Sequence, residues 1–162
     1  MRCFLIATLI AAFALSASAE EKSDLAANMK NAKVSLERGM AASKSKGTPI
    51  SAKYEIEDGK LQLSVYTAKG DTFSEVIVDH KTGKLAKSEP ITGGDDLAAA
   101  KSQNETMSKA KTSLQAAVSK AVKANKGYKA VSATPSLKDG HPTADITLMK
   151  GTESKTVSEQ LD

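Results

Sequence analysis

The side chains best suited to catalysis or metal binding in this chain are its two histidines and its single cysteine. His80 and His141 stand far apart in the sequence, and Cys3 lies near its start. A metal site needs several imidazole, thiolate or carboxylate ligands that converge on one point. Asp79 and His80 together could form a weak carboxylate site, but both fall in a predicted turn, where an exposed structural role is the alternative. The sequence therefore predicts no metal ion and no cofactor.

Serine and aspartate are frequent, but none of them has the spacing of a catalytic group. Nucleophilic catalysis needs an activated serine or cysteine beside an oriented base, and the chain contains no Gly-x-Ser-x-Gly elbow. Gly83-Lys84 lacks the glycine five positions earlier that a phosphate-binding loop requires. Asp58 and Asp139 each precede a glycine and occupy tight-turn positions. These patterns predict a protein that is not an enzyme.

An internal repeat organises the chain. The segment 32–36 returns as 110–114, at an offset of 78 positions. Four later dipeptides (Lys-Gly, Ser-Ala, Asp-Gly and Lys-Gly) return at an offset that drifts to 81. A period of this length indicates that one supersecondary unit occurs twice. We therefore predict two copies of one small module.

Each copy begins with a helical pattern and continues as hairpins. An apolar stripe with a 3.6-residue period predicts one continuous helix per copy. Its residues are Leu25, Met29, Ala32, Leu36 and Met40 in the first copy and Met107, Ala110, Leu114, Val118 and Ala121 in the second. The period then changes to two, which is typical of strands. Asp58-Gly59 and Asp139-Gly140 predict type I′ hairpin turns.

The predicted fold class is α+β, with two tandem modules, each a helix packed on a three- to four-stranded antiparallel sheet. Pro90 and two glycines punctuate the joint between them. Modules of this size lie near the lower limit for a single core, so we expect the two to pack together. The assigned ranges are 1–19 for a signal peptide, 20–89 for the first module, 90–94 for a linker and 95–162 for a C-terminally shortened second module.

The order of these elements resembles the PepSY domain family. In the first copy a helix, an Asp-Gly hairpin and a Lys-Gly hairpin precede residues 76–84, which read Val-Ile-Val-Asp-His-Lys-Thr-Gly-Lys. The second copy keeps the order from Met107 but has Gln160-Leu161-Asp162 where the Thr-Gly turn would follow. The resemblance implies a small α+β module of exported and cell-envelope proteins. It also implies no catalytic residues and a role as a peptidase inhibitor or regulator.

The first residues are typical of a secretory signal peptide. Arg2 precedes an apolar run from Cys3 to Leu15, and Ala17-Ser18-Ala19 offers a small-x-small cleavage site. The run is too short to span a bilayer, and an uncleaved membrane anchor is the alternative. Cleavage would remove the only cysteine, so the mature protein is predicted to be disulfide-free. We expect it to be periplasmic or secreted, with no membrane span.

The charge pattern argues against nucleic acid as a partner. The formal net charge is +4, and lysines are scattered among acids and serines without a basic stripe. Tryptophan is absent, and only three tyrosines and three phenylalanines occur. Nucleic-acid binding usually combines a basic stripe with stacking aromatic rings. We therefore predict a surface that does not bind nucleic acid.

A protein partner could add a strand to an exposed edge of the predicted sheet. The candidate edges are residues 50–57 in the first copy and 153–160 in the second. Because residues 153–160 carry charges that oppose unwanted pairing, we favour the first edge. The candidate partner-binding residues are Ile50, Ala52, Lys53, Tyr54, Glu55 and Ile56.

The expected function is that of an exported, non-enzymatic binding or regulatory protein that modulates or inhibits a peptidase. Two alternatives stay open. One is a structural or stress-related envelope protein. The other is a small-ligand or metal binder that uses a cleft between the modules; its ligand would raise the thermal unfolding midpoint by mass action.

Overall fold

The structure, a computed structural model, describes residues 19–162, so the predicted signal peptide apart from Ala19 lies outside the described residues. Within this range the chain forms four helices and seven strands. The helices are α1 (Ala19–Met29), α2 (Leu36–Ser43), α3 (Gly94–Lys109) and α4 (Leu114–Ala124). The strands are β1 (Thr48–Glu57), β2 (Lys60–Lys69), β3 (Thr72–Val78), β4 (Leu85–Ile91), β5 (Lys129–Lys138), β6 (His141–Lys150) and β7 (Glu153–Gln160). The predicted α+β class is confirmed.

All seven strands belong to one antiparallel sheet, in the order β4-β3-β2-β1-β5-β6-β7. β1 lies in its interior, because β2 pairs along one side and β5 meets the other side at Ala52–Ala133 and Lys53–Ser132. The prediction of two separate modules, each with its own sheet, is therefore wrong. An edge strand exposes unpaired N–H and C=O groups, and joining β1 to β5 pairs two such edges at once.

The duplication extends to the strand registers. Across the first three strands Ala52, Val65 and Val76 are aligned. Residues 81 positions later are aligned in the same way across β5, β6 and β7, namely Ala133, Ile146 and Val157. The register also shifts at matching points of β1 and β5. The two halves of the sheet are therefore copies of one backbone arrangement.

The predicted type I′ turns are present at matching places in the two halves. This turn needs positive φ at both central residues, which Asp and Gly tolerate well. The φ angles are 49° at Asp58, 72° at Gly59, 52° at Asp139 and 82° at Gly140. The local sequence thus sets the first hairpin of each half.

The prediction of one continuous helix per copy is wrong, because each helix is interrupted. Residues 30–35 separate α1 from α2, and residues 110–113 separate α3 from α4. Serine caps the second helix of each pair: Ser35 Oγ accepts from Arg38 N at 3.2 Å, and Ser113 Oγ accepts from Ala116 N at 3.2 Å. A capping hydroxyl satisfies an otherwise unpaired amide of the first turn.

The interruption also depends on a distant strand end. The amides of Lys33 and Val34 donate to the carbonyl of His80, at 2.9 and 3.1 Å. In the second half, the amides of Lys111 and Thr112 donate to the carbonyl of Leu161, at 2.7 and 2.8 Å. These amides cannot take part in a helix as well, so the end of β3 or β7 fixes where the helix breaks.

Helices cover both faces of the sheet at its centre. α2 and α4 contact each other and cover one face, and α1 adds Ala26 and Met29 to the same main core. α3 crosses the other face and contacts β1, β2, β5 and β6. A second, smaller cluster lies there, consisting of Ile50, Ala68, Phe73 and Ala100. Both layers bridge the seam, which we define as the contact between β1 and β5.

The joint between the two halves is short. Of the predicted linker 90–94, Pro90 and Ile91 belong to β4 and Gly94 to α3, so only residues 92–93 lie between the elements. α3 is thus placed close to the sheet by a very short connection from β4.

None of the helices formed by residues 19–162 is long and apolar enough to cross a membrane.

Candidate functional site

A cleft of about 190 Å³ lies at the seam, between α3 and the sheet. We call it the seam cleft. β1, β2 and β5 form its floor, and one side of α3 forms its wall. Its lining residues are Ser51, Ala52, Lys53, Tyr66 and Thr134 from the sheet and Asp96, Ala99, Ala100 and Gln103 from α3. The two halves of the molecule therefore contribute jointly to this site.

The local structure explains why these side chains meet. Side chains alternate between the two faces of a strand. Ala52 and Tyr54 point into the main core, so Ser51 and Lys53 face α3. On α3, residues 96, 99, 100 and 103 recur with helical spacing and lie on one face. Alanine at two of these positions keeps the helix close to the sheet and leaves room at the cleft.

Gln103 is held in place by β1. Ser51 Oγ donates to Gln103 Oε1 at 2.8 Å, across a sequence separation of 52 residues. Ser51 is buried, which gives this bond a fixed geometry. Within residues 19–162 no group accepts a hydrogen bond from the Gln103 amide nitrogen. The N–H groups of this amide can therefore donate to a further acceptor.

Lys53 supplies a positive charge on the sheet side. Its Nζ lies 2.6 Å from Glu55 Oε2 and 5.8 Å from the centroid of the Tyr66 ring. Burial acts to lower the pKa of Lys53. The hydrogen bond and charge of Glu55, together with Tyr66, outweigh that effect, so the pKa lies above its ordinary value. Lys53 is therefore an ammonium ion at neutral pH.

Tyr66 supplies a neutral hydroxyl. Burial raises the pKa of Tyr66 to about 12, and the charges of Glu75 and Glu55 act in the same direction, whereas Lys53 opposes them. Its hydroxyl donates to Glu75 Oε1 at 3.4 Å, which is a long hydrogen bond, and the hydroxyl oxygen can also accept one. The phenol thus stays protonated at any physiological pH.

The positive and negative charges of the seam cleft come from different structural elements. Lys53 carries a positive charge on the sheet, and Asp96 carries a negative charge in the first turn of α3. Gln103 and Thr134 add neutral polar groups to the lining. The Ser51 hydroxyl donates to an amide rather than to a base, so it is not activated as a nucleophile. This arrangement is suited to binding a polar molecule.

The predicted partner-binding residues are divided between the two faces of the sheet. Lys53 lines the seam cleft and pairs with Glu55, and Ala52 borders the cleft while its side chain packs in the main core. Tyr54 and Ile56 pack in the main core, and Ile50 is fully buried in the smaller cluster. They do not form an edge of the sheet, because β1 lies between β2 and β5 in the strand order and pairs with β5 at Ala52 and Lys53. The prediction that residues 50–57 form an edge strand is therefore wrong, whereas the binding of a partner by these residues stays a prediction.

The sheet edges are β4 and β7 instead. The prediction that residues 153–160 form an edge strand is confirmed, since they coincide with β7. Five polar residues of the cleft were not among the predicted binding residues: Ser51, Tyr66, Asp96, Gln103 and Thr134. One signal was present, namely polar residues seven positions apart, at 96 and 103, on the same face of a helix whose Ala100 is buried.

The two histidines lie in different surroundings. His141 is exposed, and its Nδ1 lies 2.8 Å from Asp162 Oδ2. His80 Nδ1 is buried without a hydrogen-bond partner. Asp79 Oδ1 accepts from the amides of Thr82 and Lys81, at 2.7 and 2.9 Å, and these hydrogen bonds lower the pKa of Asp79. The carboxylate beside His80 therefore serves the turn.

Acidic, histidine and cysteine side chains do not cluster in the described part of the chain. No group of three or more among residues 19–162 could hold a metal ion. The seam cleft contains one carboxylate, Asp96, with Glu55 beside its lysine. A cation site would need more anionic ligands than this.

Comparison with known proteins returned no relative: neither a family model, nor a curated protein, nor a solved structure matches this chain.

Proposed function

We propose that this chain is an exported, non-enzymatic binding protein whose ligand is a small zwitterion, such as a free amino acid or a dipeptide, held in the seam cleft. The observation that carries the proposal is that Lys53, on the floor, and Asp96, on the α3 wall, line the same cavity. Specific sites combine a shaped cavity with a few well-placed polar groups. The seam cleft has both features.

The charges favour a zwitterion over a simple anion. Lys53 and the Gln103 amide nitrogen can donate to a carboxylate, and Asp96 can accept from an ammonium group. Glu55 already neutralises part of the charge of Lys53, so a ligand with net negative charge would meet Glu55 and Asp96 without compensation. A ligand with both charges can pair with both Lys53 and Asp96.

The volume favours a small ligand. Pockets for drug-sized molecules usually measure about 300–1,000 Å³. The seam cleft measures about 190 Å³, which is below that range. An amino acid or a dipeptide of small residues is consistent with this size. Because Lys53 and Ala52 lie next to the seam, such a ligand would also contact both halves of the protein.

Calorimetric titration with a panel of amino acids and dipeptides tests the proposal. We expect saturable binding, and a rise of the unfolding midpoint that follows ligand concentration. Asp96→Asn should weaken binding at least about tenfold, since it removes the charged acceptor for the ammonium group. Asp95→Asn is the matched control, because Asp95 is the neighbouring acid on α3 and does not line the cleft.

Lys53→Met is the complementary variant on the sheet. It should weaken binding of zwitterions and leave no preference for a ligand carboxylate. Lys87→Met is its control, because Lys87 also pairs with a glutamate two residues later, at 2.8 Å, but lies on β4 away from the cleft. The proposal would be overturned if no compound of the panel binds. It would also be overturned if the control variants lose as much affinity as Asp96→Asn and Lys53→Met. Either result would favour a structural role.

The peptidase interaction that the PepSY resemblance implies stays a prediction. Its proposed route was an exposed strand at residues 50–57, and that strand is interior. Retention of a peptidase from envelope extract by the purified protein, with slower peptide cleavage in the bound fraction, would support it by another route.

A further inference from the structure

Strand β7 has one open side. It occupies the same place in the second half as β3 in the first, because Val157 aligns with Ile146 as Val76 aligns with Val65. β4 pairs with the outer side of β3 over most of its length. Within residues 19–162 no strand pairs with the outer side of β7. The first half thus shows that an antiparallel strand fits at this position.

The two edge strands differ in how they resist pairing. β4 contains Pro90, which has no N–H group to donate and is typical of protected edges. β7 contains neither proline nor glycine between Glu153 and Gln160. Its side chains are charged or polar apart from Val157. β7 is therefore open to a strand whose charges are complementary.

A second copy of β7 provides those charges. In an antiparallel pair centred on Val157, Lys155 lies opposite Glu159 of the other copy, and the two-fold symmetry produces this pair twice. Val157 lies opposite itself. On the other face of the sheet Thr156 lies opposite Ser158, also twice. Opposite charges and paired hydroxyl side chains stabilise cross-strand neighbours.

Neighbouring registers are less favourable. A shift of the pairing by two residues in one direction opposes Glu153 and Glu159. The same shift in the other direction places Val157 opposite Glu159. Like charges directly opposite each other are destabilising. The charges therefore select the register that is centred on Val157.

We infer that two copies of this protein associate through β7, antiparallel about a two-fold axis at Val157, so that their sheets become one continuous sheet. This homodimer is independent of the seam cleft, because β7 lines no part of that site. Lys155 and Glu159 keep their internal partners in the dimer. Lys155 Nζ lies 4.2 Å from the centroid of the Tyr128 ring, and Lys120 Nζ lies 2.6 Å from Glu159 Oε2.

Sedimentation of the exported protein over a concentration series tests the association. Lys155→Glu and Glu159→Lys should each raise the dimer dissociation constant about tenfold or more, since like charges then face each other twice per dimer. The double exchange Lys155→Glu with Glu159→Lys should return it to near the starting value. Lys87→Glu on β4 is the control and should leave it unchanged. Thermal unfolding of each variant verifies that the monomer is folded.

A single cysteine tests the register directly. The mature protein is predicted to contain no cysteine, so Val157→Cys would introduce one at the axis. Directly opposite residues in an antiparallel pair have Cα atoms about 4.5–5.5 Å apart, within the range that a disulfide spans. Oxidation should therefore produce a covalent dimer from Val157→Cys. Ser88→Cys, near the middle of β4, is the control and should stay monomeric.

Three outcomes would overturn the inference. The first is a protein that sediments as a monomer throughout. The second is equal cross-linking of the two cysteine variants. The third is a charge-exchanged double variant that associates no better than the single variants. None of these bears on ligand binding in the seam cleft, so the two proposals can fail separately.

Discussion

Gly39 and Leu63 in the first half correspond to Ala117 and Ala144 in the second. A Cβ atom at Gly39 would lie 2.6 Å from Leu63 Cδ2, so α2 approaches β2 only because residue 39 is glycine. The second half has a methyl group on the helix and a smaller residue on the strand; both alanines are buried. The comparison shows that the backbone is common to both halves, whereas side-chain volume is divided differently between helix and strand.

The ends of β3 and β7 differ in a similar way. The carbonyls of His80 and Leu161 accept the same pair of hydrogen bonds from the helix break. In the first half the chain continues through a turn held by Asp79 and then forms β4. In the second half Leu161 is fully buried in the main core. The backbone bonds are again shared, and the side chains differ.

The largest effect is expected from a pair of equivalent core residues, Leu36 and Leu114. Both are fully buried in the same main core, which spans the two halves. Leu36→Ala and Leu114→Ala should each lower the free energy of unfolding by about 2–5 kcal/mol. Because the core is shared, either variant should reduce hydrogen-exchange protection in β2 and β6 together.

Urea denaturation monitored by circular dichroism measures the effect. Leu137→Ala is the control, since Leu137 is 37% exposed, and should change the free energy of unfolding by less than about 0.5 kcal/mol. Two separate unfolding transitions would contradict the shared core, because they would show that the two halves unfold as independent domains.

Gly39→Ala tests the division of volume. In the present core the added methyl group should destabilise the protein by about 1–3 kcal/mol, partly offset by a helix propensity gain of about 1 kcal/mol. In a Leu63→Ala background, which copies the second half, the same substitution should become stabilising. A double-mutant cycle measures this reversal of sign, and Ala117→Gly should be destabilising in the second half. Equal effects of Gly39→Ala in both backgrounds would contradict the proposed close contact.

The sequence was informative where local chemistry determines structure. Asp58-Gly59 and Asp139-Gly140 predict hairpin turns because their φ angles are a local property. The pairing of β1 with β5 has no such local signal, since an alternating strand looks the same at an edge or in the interior. The helix breaks depend on carbonyls at the ends of β3 and β7, which are distant in sequence.

The seam cleft was harder to predict for the same reason. Lys53 was a candidate, but as part of an edge strand. Its neighbours in the cleft, such as Asp96 and Gln103, lie on a helix that crosses the face of the sheet opposite the main core. Composition and periodicity do not show which face a helix will cover when the sheet itself is formed from both halves.

Tyr54 has no polar counterpart in the second half, where Pro135 lies at the matching register position. Its hydroxyl donates to the carbonyl of Val34 at 2.5 Å. Tyr54→Phe should lower the free energy of unfolding by about 1 kcal/mol at neutral pH, because that carbonyl loses a buried donor. The loss should be larger than that for Tyr128→Phe, whose hydroxyl is exposed and donates to Glu153.

The same tyrosine predicts a pH dependence. Burial raises the pKa of Tyr54 to about 12 from its ordinary value of 10.0, and the charge of Glu37 adds to the effect. The corresponding stability is complete below pH 10 and is lost as the pH rises through about 12. The difference in free energy of unfolding between the parent protein and Tyr54→Phe should therefore shrink in that window. A difference that stays constant to pH 12 would mean that the phenol is not desolvated.

The smallest effect on the free energy of unfolding is expected for His80→Leu, which should stabilise the protein. The buried Nδ1 of His80 has no hydrogen-bond partner among residues 19–162, whereas Leu161 at the matching position is apolar and fully buried. The backbone carbonyl of residue 80 keeps both of its hydrogen bonds in the variant. Replacing an unsatisfied polar atom should raise the free energy of unfolding by up to about 1 kcal/mol.

Leu161→His is the reciprocal variant and should be destabilising, since it would place an imidazole in a fully buried site. His141→Leu is the control for loss of a histidine, because His141 is exposed and should change stability by less than about 0.5 kcal/mol. Thermal and urea unfolding of the three variants measure the effects. If His80→Leu destabilises the protein, the imidazole stabilises the chain where β3 ends. A leucine could then not replace His80, although residues 80 and 161 accept the same backbone hydrogen bonds.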